Sequence, residues 1–131
     1  MGVSISLEVT SIYIAILGLL FIPFTIRAGI YRGKAKIFIG TGDDPELLRR
    51  VRGQANFIET VPISLLILIA MEFMGASHLW LHALGLILVV GRVFHYVGLT
   101  GLGPSILRVL GMIATLSTVL IGSLWLCVNA L

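Results

Sequence analysis

The sequence predicts an all-α integral membrane protein, a four-helix antiparallel up-down bundle filling residues 1–131 as one domain. Three observations predict it. Hydrophobic residues make up 58% of the 131 residues and charged residues only 11%, against roughly 25% charged in soluble domains. The mean hydropathy is +1.09. Apolar stretches long enough to cross the hydrocarbon layer recur along the chain, separated by short turn-forming segments. The 131 residues are expected to hold one bundle without a soluble catalytic domain, so chemistry is expected within the bundle or at its rim.

The first helix is expected from about Leu7 to Tyr31. Its core, Val9 to Ile26, carries no charge, and Met1 to Glu8 lacks the basic residues of a secretory signal, so the segment reads as a permanent span. Pro23 lies inside it and is a candidate kink. A basic loop with Arg32, Lys34 and Lys36 follows, then Gly40 and Gly42. The second helix is expected over residues 45–74. Asp43 or Asp44 caps it, Pro45 suits its first turn and Glu46 complements the positive helix end. At 1.5 Å per residue it spans on the order of 44 Å, longer than the ~30 Å hydrocarbon core, so its first turns project beyond the lipid tails.

Gly75 ends that helix and Ser77 is the expected cap of a third, over residues 78–100. Gly101, Gly103 and Pro104 form the next turn. Ser105 opens the fourth helix, over residues 105–130. Short connections make successive helices antiparallel. The first loop is rich in Lys and Arg, with Arg49, Arg50 and Arg52 close by, whereas the turn at Gly75 has neither residue. The positive-inside rule therefore predicts that the first and third loops face the cytoplasm.

Polar groups inside these apolar runs are the candidate site. Arg52, Asn56 and Glu59, followed by Pro62, interrupt the second span, where an ionisable side chain costs about 2.5–3.5 kcal/mol to insert. Helical spacing puts the three within roughly 60° of one another, a single column. Arg27 near the end of helix 1, Arg92 and His95 late in helix 3, and Arg108 one turn into helix 4 lie at a similar depth. The expectation is a shared pocket in that half of the membrane. Simpler readings stand beside it. Arg27 and Arg108 could snorkel to the headgroups. Arg92 and Glu59 could form a structural ion pair. Tyr31 and Tyr96 could be interface aromatics. Glu72 with His78 and His82 reads as a polar cluster at the far surface, and Cys127 as a packed helix residue.

Arg27, Arg52, Arg92 and Arg108 outnumber Glu59 by three charges, so the pocket should attract an anion. Guanidinium forks suit carboxylates, while Glu59 and Asn56 could receive an ammonium or amide N–H groups. A short anionic peptide fits, and nearby apolar helix surfaces could supply a lipophilic co-substrate from the bilayer. The basic residues sit in one loop and at helix ends, which argues against nucleic-acid binding. The histidines lack a partner set for a metal. Helix 1 has no internal acidic residue of the kind small cation exporters need.

Asp44-Pro45, Arg49-Val-Arg-Gly, then Arg52, Asn56, Glu59 and Pro62 resemble the helix 2 signature of the MAPEG family, the membrane-associated proteins in eicosanoid and glutathione metabolism. Gly91-Arg92-Val-Phe-His95-Tyr96 resembles its helix 3 segment, and the layout matches along essentially the whole chain, closest to small bacterial members. The resemblance implies a homotrimer in the bacterial inner (plasma) membrane, with glutathione bound between neighbouring protomers. It implies that Arg52, Asn56 and Glu59 bind glutathione, with Arg27, Arg92, His95 and Tyr96 beside them. Arg108 resembles the helix 4 arginine that stabilises the glutathione thiolate. The implied activity is a transferase or peroxidase acting on a lipophilic electrophile or lipid hydroperoxide. The alternative is a non-catalytic lipid- or glutathione-binding member. Thr60 stands where leukotriene-synthesising relatives carry a tyrosine, His95 and Leu99 stand where they carry two more, and Val109 replaces a serine of the prostaglandin-synthesising relatives. Leukotriene and prostaglandin synthesis are therefore not implied.

Overall fold

The computed structural model describes residues 6–131, and residues 1–5 lie outside the described part. Four helices make up the fold: α1 Thr10–Ala35, α2 Pro45–Phe73, α3 His78–Leu99 and α4 Ile106–Ala130. Each is long and apolar enough to cross a membrane. Contacts between helix ends make neighbours antiparallel: Gly53, early in α2, lies beside Tyr96, late in α3, and Gly98, late in α3, lies beside Arg108, early in α4. Glu72, late in α2, meets the start of α1, and Asp44, just before α2, meets Tyr31 near the end of α1.

The first helix starts and stops later than hydropathy suggests. Its beginning is set from outside: the carboxylate of Glu72 accepts the backbone N–H groups of Val9 and Thr10, both at 2.8 Å. No side chain of α1's own N-cap residue takes that role. Glu72 is thus not part of a cluster with His78 and His82. His82 instead meets the hydroxyl of Tyr13 through Nδ1 at 2.8 Å, and exposed His78 lies 4.0 Å from exposed Glu8. At the other end, Arg32 and Lys34 occupy the last turn of α1, where cations complement the carbonyl end of a helix. Lys36 closes it in a left-handed conformation (φ 56°), its N–H returning to the carbonyl of Arg32.

The caps read from the sequence form. Asp44 accepts N–H groups from Glu46 and Leu47, both at 3.0 Å. Its carboxyl is held below the usual carboxylate range, first by the Leu47 N–H and also by the Tyr31 hydroxyl and the Glu46 N–H. Ser77 caps α3 through the Trp80 N–H. Ser105 precedes α4 without a side-chain cap.

Helices α2 and α3 form the centre. Helix α1 packs on both of them, α4 packs on both from the other side, and α1 and α4 do not meet. Between α1, α2 and α3 lies the main apolar core, with Tyr13, Leu17, Phe24, Phe57, Leu68, Met71, Leu81, Leu84, Leu88 and Tyr96 buried. The α3–α4 seam is closer and is made by glycine. A Cβ on Gly98 would strike the backbone of Leu107 and Arg108, and one on Gly111 would strike the backbone of Gly91 and His95. Small residues of this kind let spanning helices approach where no hydrophobic drive separates them from lipid. Cys127, expected to be packed, is exposed on α4.

Candidate functional site

The column on α2 divides into an open part and a closed part. Arg52 and Glu59 face outward, with side chains 51% and 55% exposed, and approach each other to 3.6 Å. An exposed pair of this sort adds only about 0–1 kcal/mol in water, so both groups remain available to another partner. Asn56, between them in sequence, is half-buried and turned inward. Its Oδ1 accepts from Nη1 of Arg92 at 2.6 Å.

Arg92 is the best-enclosed charge among the described residues, at 1% exposure. Its Nε donates to Thr115 Oγ1 at 2.7 Å. Its Nη1 donates to Asn56 and also to Thr60 Oγ1 at 2.9 Å. Its Nη2 reaches the Gly111 carbonyl at 3.4 Å. The arginine on α3 therefore joins α2 to α4. The Arg92–Glu59 ion pair does not form, because Arg92 is sealed inside the bundle whereas Glu59 faces outward beside Arg52. Taking a guanidinium out of water costs several kcal/mol, and hydrogen bonds to a charged group return about 1.5–3 kcal/mol each. The acceptors offset the desolvation, yet all are neutral, and the interior keeps a net positive charge.

Thr115 and Arg108 are seven residues apart on α4, two turns, and so share a stripe. Arg108 is exposed and lines a cavity of about 280 Å³ with His95, Val109, Met112, Ile113 and Leu116. His95 is buried at 5% exposure, and among the described residues no hydrogen bond holds its ring. Gly98 and Gly111 set this arrangement, since they bring the α4 backbone directly onto α3 on either side of His95.

Arg27 and Tyr96 lie apart from these groups, where α1 meets α3. Nη1 of Arg27 donates to the Tyr96 hydroxyl at 3.0 Å, and its guanidinium carbon stands 5.4 Å from the ring centroid. Tyr96 stacks on Phe24 with centroids 3.6 Å apart and rests against Gly53, where an added Cβ would press on the ring at 3.0 Å. Tyr96 is buried at 2% exposure, so it is a core residue and not an interface aromatic.

The residues singled out in the sequence thus fall into two groups. Arg52, Asn56, Glu59, Arg92, His95 and Arg108 belong to the α2–α3–α4 side, and Arg27 and Tyr96 to the α1 side. The expected pocket common to all four arginines is not present within one chain. Arg92 is sealed, and Arg27 is turned to Tyr96. Sequence reasoning missed Thr115 as an acceptor for Arg92 and treated Thr60 only as a departure from relatives. A usable signal existed: a guanidinium that no acid can reach needs neutral acceptors, and Thr115 and Thr118 are polar residues inside an apolar helix.

A sequence model of the MAPEG family matches residues 10–128. The inner membrane protein YecN of Escherichia coli strain K12 is 30% identical over 90 residues, covering 69% of this chain and 69% of its own. The protein of the same name from Escherichia coli O6:H1 matches to the same extent.

Proposed function

Because the chain belongs to the MAPEG family, we propose that it is a membrane-bound, glutathione-dependent transferase or peroxidase acting on lipophilic electrophiles or lipid hydroperoxides. The observation that carries this reading is the open Arg52–Glu59 pair beside an inward-held Asn56. Glutathione has two carboxylates and an ammonium group. Arg52 offers a fork to a carboxylate, Glu59 offers an acceptor to the ammonium, and the free amide N–H groups of Asn56 complete the set. Arg92 acts from behind by fixing Asn56, and its uncompensated charge favours an anion in front. Arg27 and Tyr96 position α1 against α3 at the same depth.

Arg108 is the group that would hold the thiolate. A guanidinium near a thiol lowers its pKa from about 8.5 and raises the nucleophilic fraction. The sulfur then attacks an acceptor delivered from the bilayer, with His95 and the apolar side chains of α4 lining its approach. With an aryl halide the C–S bond forms as halide leaves. With a lipid hydroperoxide the O–O bond breaks, the lipid alcohol departs, and the resulting sulfenic acid is reduced by a second glutathione to the disulfide and water. The open α2 column and the unshared outer faces of α1 and α4 suit a homotrimer with glutathione between neighbours, in an inner membrane like that named for the YecN proteins. The first and third loops would be cytoplasmic.

Calorimetric titration of glutathione into the detergent-solubilised protein tests the reading, repeated with Arg52→Ala and Glu59→Gln. Binding by the wild type that each variant weakens is expected. An inert wild type, or variants that bind as well, would overturn it. One observation favours the non-catalytic alternative: Arg92 is buried at 1% exposure and directs its hydrogen bonds to protein acceptors, so it is withheld from a ligand. Glutathione binding without consumption of an aryl halide or a lipid hydroperoxide would select that alternative.

A further inference from the structure

The α1–α2 connection carries a second, unrelated feature. Phe38 and Ile39 are 74% and 93% exposed, yet the segment that holds them is built, not loose. Nη1 of Arg32 donates to the carbonyls of Ile37 (3.1 Å) and Gly40 (2.6 Å), clamping both ends of the pair. Ile37 turns inward and packs over Gly42. Left-handed turns at Lys36 (φ 56°) and Gly40 (φ 69°) bracket the segment.

Its depth follows from the helices. About 20 residues cross the hydrocarbon layer, and headgroups add roughly 5–7 Å on each face. Counted from Thr10, α1 leaves the hydrocarbon near Tyr31 and runs on to Ala35, about 6 Å further. The Tyr31–Asp44 hydrogen bond (3.0 Å) then brings the chain back to the level of Tyr31. Residues 36–43 therefore fold over within the headgroup layer.

Charge points the same way. Lys34 and Lys36 are exposed, and their ammonium groups have no ion pair or hydrogen bond among the described residues. Of the nearby acids, Asp44 is occupied by helix N–H groups and Tyr31, and Glu46 is paired with Arg50. Asp43 alone remains unengaged among the described residues. We propose that the Ile37–Gly40 segment is a wedge for anionic phospholipid, seating Phe38 and Ile39 among the lipid chains while Lys34 and Lys36 bind headgroup phosphates. Basic side chains beside exposed apolar ones suit such a surface, and each lysine near an anionic bilayer favours it by about fivefold.

The test uses the full chain with Phe38→Trp on a Trp80→Phe, Trp125→Phe background, reconstituted in vesicles of phosphatidylcholine and phosphatidylglycerol. Composition stays constant and only the brominated, fluorescence-quenching chain moves from one lipid to the other. The expected result is strong quenching, greater from phosphatidylglycerol by about twofold or more. That ratio should fall to about 1 when Lys34→Gln and Lys36→Gln are added. No quenching from either lipid would overturn the wedge and mark the segment as a surface for a soluble partner or for water. Equal quenching from both lipids before the lysines are changed would also overturn the proposal, because it removes the anionic preference. If the tryptophan background does not fold, Ile39→Cys on a Cys127→Ser chain, carrying a nitroxide, gives the same reading. Access to oxygen above access to an aqueous relaxant supports the wedge, and the reverse overturns it.

Discussion

The bond between Arg92 and Thr115 invites a quantitative test. Thr115→Val keeps the shape of the side chain and removes the acceptor 2.7 Å from Nε. Both residues are buried, at 0% and 1% exposure, so water cannot replace the lost oxygen. A buried donor left without a partner costs about 1–3 kcal/mol, and a donor on a charged group lies toward the upper end. The expected loss is about 2 kcal/mol. Arg92→Met removes the charge and its demand together. The orphaned hydroxyls keep other partners, since Thr115 also donates to the Gly111 carbonyl and Thr60 to the Asn56 carbonyl. Replacing a buried charge by an apolar side chain of similar length is often close to neutral. On the Arg92→Met background, Thr115→Val should therefore cost less than about 0.5 kcal/mol. The assay is reversible unfolding in mixed micelles, followed by circular dichroism, for the wild type, both single variants and the double variant. A Thr115→Val penalty of equal size in both backgrounds, or none in either, would refute the view that this arginine is held by neutral acceptors.

Three further outcomes are expected. Glu72→Ala removes the acceptor for two N–H groups at the start of α1 and should destabilise the protein by about 1–2 kcal/mol, with faster amide exchange confined to the first turn of α1; Glu72→Gln, which keeps one oxygen acceptor, should cost less. Gly98→Ala forces a methyl group onto the backbone of Leu107 and Arg108 and should cost about 1–3 kcal/mol, measured by the same unfolding assay; a neutral result would mean that α3 and α4 are not in backbone contact. Asp44→Asn preserves a competent helix cap but removes the charge. Since the folded-state carboxyl is depressed, chiefly by the Leu47 N–H, its charged form stabilises the protein above the usual carboxylate range, and that stability is lost as pH falls through the depressed value. Unfolding measured along an acid series should show this loss in the wild type and a flatter profile in Asp44→Asn.

Much of the fold was legible because its signals are local. Hydropathy alone locates the spans, and the caps at Asp44 and Ser77 depend on neighbours two or three residues away. The column of Arg52, Asn56 and Glu59 followed from helical spacing, since it lies on a single helix. The rotation of one helix against another is what spacing cannot supply. Nothing in the α1 sequence tells whether Arg27 turns toward Asn56 or toward Tyr96. Phe24 and Gly53 decide it by creating the slot that Tyr96 fills. Glu72 was grouped with His78 and His82 by depth, whereas its partners are backbone N–H groups that carry no residue-type signal. Charge alone matches Arg92 with Glu59, whereas the structure satisfies Arg92 with hydroxyls, an amide and a carbonyl from two other helices.

The carboxylate that finishes the first span is supplied 62 and 63 residues downstream of the amides it receives. Without the second helix those two amides have no such acceptor and fall to water. Only with the second helix packed in the return direction does that end of the first acquire a definite position. The two helices therefore form a hairpin whose register is settled by its later arm.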